Sequence, residues 1–345
     1  MSADNSLELL FSQIQQQQTP ALWVLDEHGS GASLPPANPL VRVVSNRSDV
    51  AEALKKKGWQ AEFSDHDFSS IPDGSLDRVF FRIAKEKPLV HHIINSAAQL
   101  LKSGGQLLLS GGKQQGIKTY AKNAGRCLGS KEQVKKHGKD YLAIITREAC
   151  EATLLDDKQY HQLRTFAEIN QQPLYSKPGQ YGWDKIDLGS QLLAEQLKSI
   201  MPYKRPNTIL DLGCGYGYLA SMAHQQFPEA NITATDNNAA ALLACAKNFD
   251  IQGIEGEVVP DNCASKLSGR YKLILCNPPF HQGFDVERDL TEQFVLAARR
   301  LCHKNGTVLF VVNVFIPIER LGLESFSKVD ILSNSGKFKV VAMTL

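Results

Sequence analysis

The chain has no Cys-x-x-Cys pair, and its 7 cysteines, an odd number, are scattered as Cys127, Cys150, Cys214, Cys245, Cys263, Cys276 and Cys302. That spacing signals neither a disulfide framework nor a zinc site. The 9 histidines include the adjacent His91 and His92 but no His-x-x-x-His motif, so no metal is expected. Long apolar runs are lacking too. The longest, 308–318, is broken by Asn313 and falls well short of the roughly 20 residues of a membrane-crossing helix. The first ten residues carry Asp4 and Glu8 and no Lys or Arg, so the cationic start of a secretory leader is missing. The expectation is a cytoplasmic protein with no membrane partner. Charge of one sign is also lacking: 38 basic against 36 acidic residues leave a net charge of +2, which by itself says nothing about nucleic acid.

What the chain does have is the length and apolar content for two domains: 345 residues, 43% hydrophobic, with 15 Phe, 9 Tyr and 3 Trp. Helix and strand patterns alternate twice. In the first half, 41–45, 76–83 and 106–110 read as strands, and 48–57 and 89–101 as helices. In the second half the strands are 208–212, 232–236, 271–276 and 307–313, and the helices 217–226, 239–248 and 292–301. Each half is expected to be a doubly wound α/β domain with a largely parallel sheet. Residues 76–80 match 271–275, and Ala97-Ala98 before Gly104-Gly105 matches Ala297-Ala298 before Gly306, which points to an internal duplication. The boundary falls in 151–187, where Pro173, Pro178, Gly179 and Gly182 stand, giving domains 1–165 and 175–345. One stretch is locally basic. Between Lys113 and Lys139 lie Lys118, Lys122, Arg126, Lys131, Lys135 and Lys136 against the single acid Glu132, read as a solvated helix and loop.

Only the second half shows a glycine-rich turn after its first strand, in Asp211-Leu212-Gly213-Cys214-Gly215-Tyr216-Gly217. A strand entering a tight glycine turn and then a helix brings backbone N–H groups up to a ligand. A dinucleotide site would want glycine at 218, where Tyr218 stands. Asp211 would also repel a pyrophosphate but suit the ammonium and sulfonium charges of S-adenosylmethionine. Asp236, ending the next strand, is placed to accept hydrogen bonds from both ribose hydroxyls.

A second signal follows the strand 271–276 and reads Asn277-Pro278-Pro279-Phe280. Two prolines cannot continue a central strand, so they fix a turn at the carboxyl edge of the sheet, where ligands of such folds bind. An amine conjugated to a base ring is a poor nucleophile. If the Asn277 side-chain oxygen and the Pro278 carbonyl accept its N–H bonds, they orient it toward a methyl donor. Phe280 can stack on a planar substrate, and no side chain here is an obvious general base, so catalysis is read as positioning and electrostatics.

Asn277-Pro278-Pro279-Phe280-His281 with Gly283, the stretch Asp187-Leu188-Gly189-Ser190-Gln191-Leu192-Leu193 and the closing Gly336-Lys337-Phe338-Lys339-Val340 together resemble the ribosomal RNA small subunit methyltransferase C family. The tandem layout is similar as well, so the resemblance covers essentially the whole chain. It implies two tandem Rossmann-like class I methyltransferase domains, the first degenerate and serving RNA positioning and structural support. It also implies methyl transfer from S-adenosylmethionine to the exocyclic N2 of a guanine in 16S ribosomal RNA, guanine 1207 in the family, by a monomer acting on the small subunit. Cofactor contacts carry over to Asp211, Gly213, Gly215, Gly217, Asp236, Asp261, Asn262 and Asn277. Catalysis carries over to Asn277, Pro278 and Phe280, and RNA contacts to Pro279, Phe280, Lys135 and Lys136.

In the first half Asn46-Arg47-Ser48 follows 41–45 where a glycine loop would be, and Arg82-Ile83-Ala84-Lys85 stands in place of Asn-Pro-Pro-Phe; this half is expected to bind no cofactor. The competing readings are a 23S RNA guanine-N2 methyltransferase, a protein glutamine-amide methyltransferase and a non-catalytic RNA-binding assembly factor. The last would not need Asp211, the glycines, Asp236 and Asn277 together.

Overall fold

Five apolar residues, Ala21–Leu25, stand between Pro20 and Asp26 and are buried at every position, as a strand covered on both faces must be. Sequence patterning overlooked them because they do not alternate. In the computed structural model, which describes residues 4–148, 153–200, 205–279 and 284–345, they form an interior strand, the third of seven, in the first of two compact units, Met1–Gln162 and Leu163–Leu345.

The first unit runs α1 (Asn5–Gln15), β1 (Ala21–Leu25), β2 (Val41–Ser45), α2 (Ser48–Lys56), β3 (Ala61–Phe63), β4 (Leu76–Arg82), α3 (Lys87–Leu100), β5 (Leu101–Gly112), α4 (Ile117–Leu128), β6 (Gln133–His137) and β7 (Asp140–Thr146). Its sheet has the order β3-β2-β1-β4-β5-β7-β6. The first five strands are parallel, as expected, and β7 and β6 join antiparallel, which makes a largely parallel sheet mixed at one edge. The basic segment read as helix and loop is α4 followed by the edge strand β6. On α4, Ile117, Ala121, Ala124, Cys127 and Leu128 face the core while Lys118, Lys122 and Arg126 face solvent at three- to four-residue spacing.

The second unit opens on a hairpin, β8 (Arg164–Ile169) and β9 (Gln172–Ser176), where the sequence suggested only a boundary. Then follow α5 (Leu188–Ile200), β10 (Thr208–Leu212), α6 (Tyr218–Gln226), β11 (Asn231–Asp236), α7 (Ala239–Gln252), β12 (Gly256–Pro260), β13 (Tyr271–Cys276), α8 (Phe284–Leu301), β14 (Cys302–Asn313), α9 (Ile318–Leu323), β15 (Lys328–Asn334) and β16 (Phe338–Thr344). The sheet order is β12-β11-β10-β13-β14-β16-β15, the same as in the first unit, with β16 and β15 again antiparallel. Each sheet carries an apolar core on both faces.

The shared topology corrects the comparison of the halves. The counterpart of β10 is β1, not residues 41–45, so what replaces the glycine loop is Asp26-Glu27-His28 rather than Asn46-Arg47-Ser48. Strand registers put Trp23 at the place of Asp211, Ser45 at that of Asp236 and Arg82 at that of Asn277. Glu27 pairs with Arg47 at 3.1 Å, and His28 Nδ1 meets Asp26 at 2.7 Å. Burial pushes the Glu27 carboxyl up, but the Arg47 and His28 charges outweigh it and hold the group at about 2. Asp26, Glu27 and His28 are also the one trio among the described residues whose ligand-type atoms cluster within 4.8 Å, and they are engaged with one another and with Arg47.

Candidate active site

The site is built at the carboxyl edge of β10, β11 and β13. Beyond β10, Gly213, Gly215 and Gly217 all take positive φ, at 79°, 55° and 82°. Gly217 has a steric reason as well, because a Cβ there would lie 2.8 Å from Cys245 Sγ. The N–H groups of Gly213 and Cys214 both donate to the Thr235 carbonyl at 2.9 Å, which ties the loop to β11.

Asp211 is buried under this loop. Its Oδ2 accepts the Ala220 N–H at 2.9 Å in the first turn of α6, while its Oδ1 has no hydrogen-bond partner among the described residues. Burial pushes the carboxyl up to about 7, the Ala220 N–H pulls against it, and the charge of Asp236 adds to the rise. A buried carboxylate with one bare oxygen is suited to a cationic ligand.

Asp236 is half-buried and held at both oxygens: Oδ2 accepts the Gly215 N–H at 3.0 Å and Oδ1 the Asn238 N–H at 2.9 Å. An ionised carboxylate offers about four acceptor positions, so two are left for a diol. Asp261 is buried, and its oxygens accept Ser265 Oγ at 2.8 Å and the Lys266 N–H at 2.9 Å. It shapes the turn after β12, and the more open side chain there is Asn262, whose Oδ1 accepts from Asn237 Nδ2 at 3.4 Å.

The stretch expected to hold the domain boundary supplies parts that carry no sequence signal. Asn248 of α7, fully buried, exchanges hydrogen bonds with Tyr175 and donates to the Tyr216 carbonyl at 2.8 Å, which fastens β9 and the glycine loop to one helix. Asn238 caps α7 through Ala240 and donates to the Gly179 carbonyl at 2.8 Å. Gln180 is thereby laid over the loop. Its Nε2 donates to Ser176, its Oε1 is buried without a partner among the described residues, and that oxygen lies 4.0 Å from where a Gly215 side chain would begin. The readable sequence signal was Asp236-Asn237-Asn238 before an Ala-rich helix, an N-cap pattern; Gln180 carried none.

Asn277 follows β13. Its Nδ2 donates to Asp187 Oδ2 and to Ser190 Oγ, each at 2.8 Å. Both belong to the start of α5, where Asp187 also accepts the Ser190 N–H at 2.9 Å. Pro278 is buried and Pro279 exposed. Phe280 lies outside the described residues. Cys276 is buried, and burial pushes its thiol well above the ordinary range, so it stays a neutral thiol rather than a nucleophile. The structure thus gathers Asp211, the glycines, Asp236, Asp261, Asn262, Asn277, Pro278 and Pro279 along one sheet edge of the second unit. Lys135 and Lys136 stand apart in sequence on β6 of the first unit, both exposed.

The two orphaned buried oxygens and the side-chain-free glycine loop fit a ligand with a cationic end and a ribose. S-adenosylmethionine has both. Residues 171–342 match the Methyltransferase small domain family. Ribosomal RNA small subunit methyltransferase C of Haemophilus influenzae (strain PittGG) is 31% identical over 195 residues, 55% of this chain and 58% of the relative. The protein of that name from Erwinia tasmaniensis is 36% identical over 163 residues, 47% of this chain and 46% of the relative. The chain therefore spans about half the length of the curated relatives it matches. The structure of the T. thermophilus 16S rRNA N2 G1207 methyltransferase in complex with AdoMet and guanosine superposes with a TM-score of 0.83 at 24% identity, covering 99% of this chain and 92% of that one. The chain shares the α/β fold of that structure over nearly its whole length, and the match to the methyltransferase small domain family lies in its second unit.

Proposed function

We propose that the protein transfers a methyl group from S-adenosylmethionine to the exocyclic N2 of a guanine in 16S ribosomal RNA, at the position corresponding to guanine 1207 of the T. thermophilus enzyme's substrate. The observation that carries this reading is Asn277: with both amide protons donated to α5, its Oδ1 is left as the acceptor at the carboxyl edge of the sheet. The cofactor supplies an electrophilic methyl. Asp236 and Asn262 hold its adenosine, Asp211 and the glycine loop its cationic end, and Gln180 covers it. Asn277 Oδ1 and the Pro278 carbonyl accept the two N–H bonds of the guanine amine and aim its lone pair. Phe280 and Pro279 hold the extruded base, because a paired guanine keeps its amino group in the duplex. The proton leaves to solvent after transfer.

The first unit, whose counterpart positions are taken by Trp23, Ser45 and the Glu27–Arg47 pair, binds no cofactor and positions RNA through the cations of α4 and β6, Lys135 and Lys136 among them. No helix of the described residues is long and apolar enough to cross a membrane. The reading is of a cytoplasmic monomer.

The deciding experiment is methyl transfer from labelled S-adenosylmethionine to 16S and 23S RNA, free and in subunits from unmodified cells. N2-methylguanosine in the small-subunit RNA, abolished by Asn277→Ala, is the expected result. Label confined to 23S RNA or to protein glutamine would overturn the substrate, and absence of cofactor binding would overturn the enzyme.

A further inference from the structure

Asp187-Leu188-Gly189-Ser190 opens α5, far in sequence from the Asn277 turn, and the function stated so far gives it no task. In space it holds Asn277. Asp187 does two things with one oxygen: Oδ2 caps α5 by accepting the Ser190 N–H at 2.9 Å and accepts Asn277 Nδ2 at 2.8 Å. Ser190 Oγ, on a buried residue, accepts the same amide at 2.8 Å. The packing at this corner is close, since a Cβ on Gly189 would lie 3.0 Å from Asp187 Oδ2 and 3.3 Å from the Phe338 ring.

We infer that Asp187 and Ser190 are positioning residues that fix which end of the Asn277 amide faces the substrate. A carboxylate oxygen only accepts, so it determines the orientation of an amide. Turned over, Asn277 would set its own oxygen against Asp187 and present two donors to an amine that itself needs acceptors, and the substrate would be repelled where it must be gripped. The carboxylate also polarises the amide, so Oδ1 is a stronger acceptor than in a free asparagine. The first unit shows what the bracket does when no amide is at stake. Asp4 caps α1 through Leu7 at 3.0 Å and takes Arg82, at the position of Asn277, in an ion pair at 3.1 Å. There the carboxylate fastens a helix start to a strand end; in the second unit the same fastening sets the polarity of a reacting side chain.

This inference rests on the methyltransferase reading, and the test separates the two. Asp187→Ser keeps a good helix cap but withdraws the acceptor from Asn277, and Asp187→Asn keeps one acceptor oxygen in place. Single-turnover methyl transfer is expected to fall at least tenfold in Asp187→Ser and to recover to within about threefold of wild type in Asp187→Asn, with the dissociation constant for S-adenosylmethionine and the Tm unchanged. In 15N-asparagine-labelled protein, the side-chain NH2 pair of Asn277, assigned by its disappearance in Asn277→Asp, should exchange slowly in wild type and rapidly in Asp187→Ser. Asp4→Ser, the same change in the first unit, should lower Tm and leave the transfer rate alone. If Asp187→Ser keeps the wild-type rate while Asn277→Ala loses it, the positioning role is overturned and the function stands. A fall in rate matched by an equal loss of cofactor binding or of Tm makes the contact structural and overturns the role as well. If Asn277→Ala itself retains full rate, the reading beneath both is overturned.

Discussion

Asp211 carries a cost that its neighbours do not remove. Its carboxyl is raised to about 7 by burial, against an ordinary value of 3.8. For an acid whose folded pKa is raised, the unfolded chain ionises first. The group therefore costs the fold nothing below about pH 4, an increasing amount as pH rises to 7, and a constant amount beyond, with an upper limit of roughly 4 kcal/mol for a shift of this size. A cation bound beside Oδ1 reverses the balance, because it favours the ionised form. Affinity for S-adenosylmethionine should then weaken as pH falls below 7, approaching tenfold per unit, with up to one proton released on binding. Calorimetry in buffers of different ionisation enthalpy measures that proton. Asp211→Asn should bind weakly at every pH, show no such slope, and make the ligand-free protein more stable relative to wild type at pH 8 than at pH 4. An unchanged slope in Asp211→Asn would place the titrating group elsewhere.

Among elements, the hairpin of β8 and β9 shows what pattern reading loses. Its residues neither alternate nor run apolar, and its position is set by Asn248, more than seventy residues onward, so no local signal could announce it. Asn248 makes three hydrogen bonds at 0% exposure, to Tyr175 twice and Tyr216 once. Its place is read from the fold alone. Asn248→Ala should cost roughly 3 kcal/mol, since buried backbone partners are left unsatisfied. The loop carrying Tyr216 should loosen with it, so calorimetry should find both a lower Tm and a weaker cofactor complex; loss of Tm with undiminished cofactor affinity would separate the hairpin from the site.

By contrast, 208–212, 271–276 and the turns after them were legible because the chemistry there constrains the chain locally, through glycines, prolines and a strand end. The first-half loop was misplaced for the opposite reason. Ala21–Leu25 lacks periodicity, so pattern alone makes the next strand, Val41–Ser45, the first of its sheet. Asp187 was noticed as part of a resemblance, but its partner Asn277 became visible only in three dimensions.

At the scale of the molecule, the two units have the same strand order and unequal equipment, which assigns them separable tasks. The second has its own core on both sheet faces and every residue proposed to hold the cofactor, and the family match lies within it. Residues 163–345 alone should fold cooperatively and bind S-adenosylmethionine with the affinity of the full chain. Their RNA affinity should be much lower, because the row Lys118, Lys122 and Arg126 on α4 and the exposed Lys135 and Lys136 on β6 belong to the other unit. An edge strand bearing lysines also has a bland explanation, protection against edge-to-edge pairing, which needs the charges but no partner. Salt dependence distinguishes the two. If the lysines meet phosphates, Lys135→Glu with Lys136→Glu in the full chain should weaken RNA binding and reduce the slope of log affinity against log salt by about one per contact removed. If they only protect the edge, the slope stays and the variant instead aggregates less or more than wild type. Affinity equal to the full chain in residues 163–345 would remove the first unit from RNA recognition and leave it a folding support.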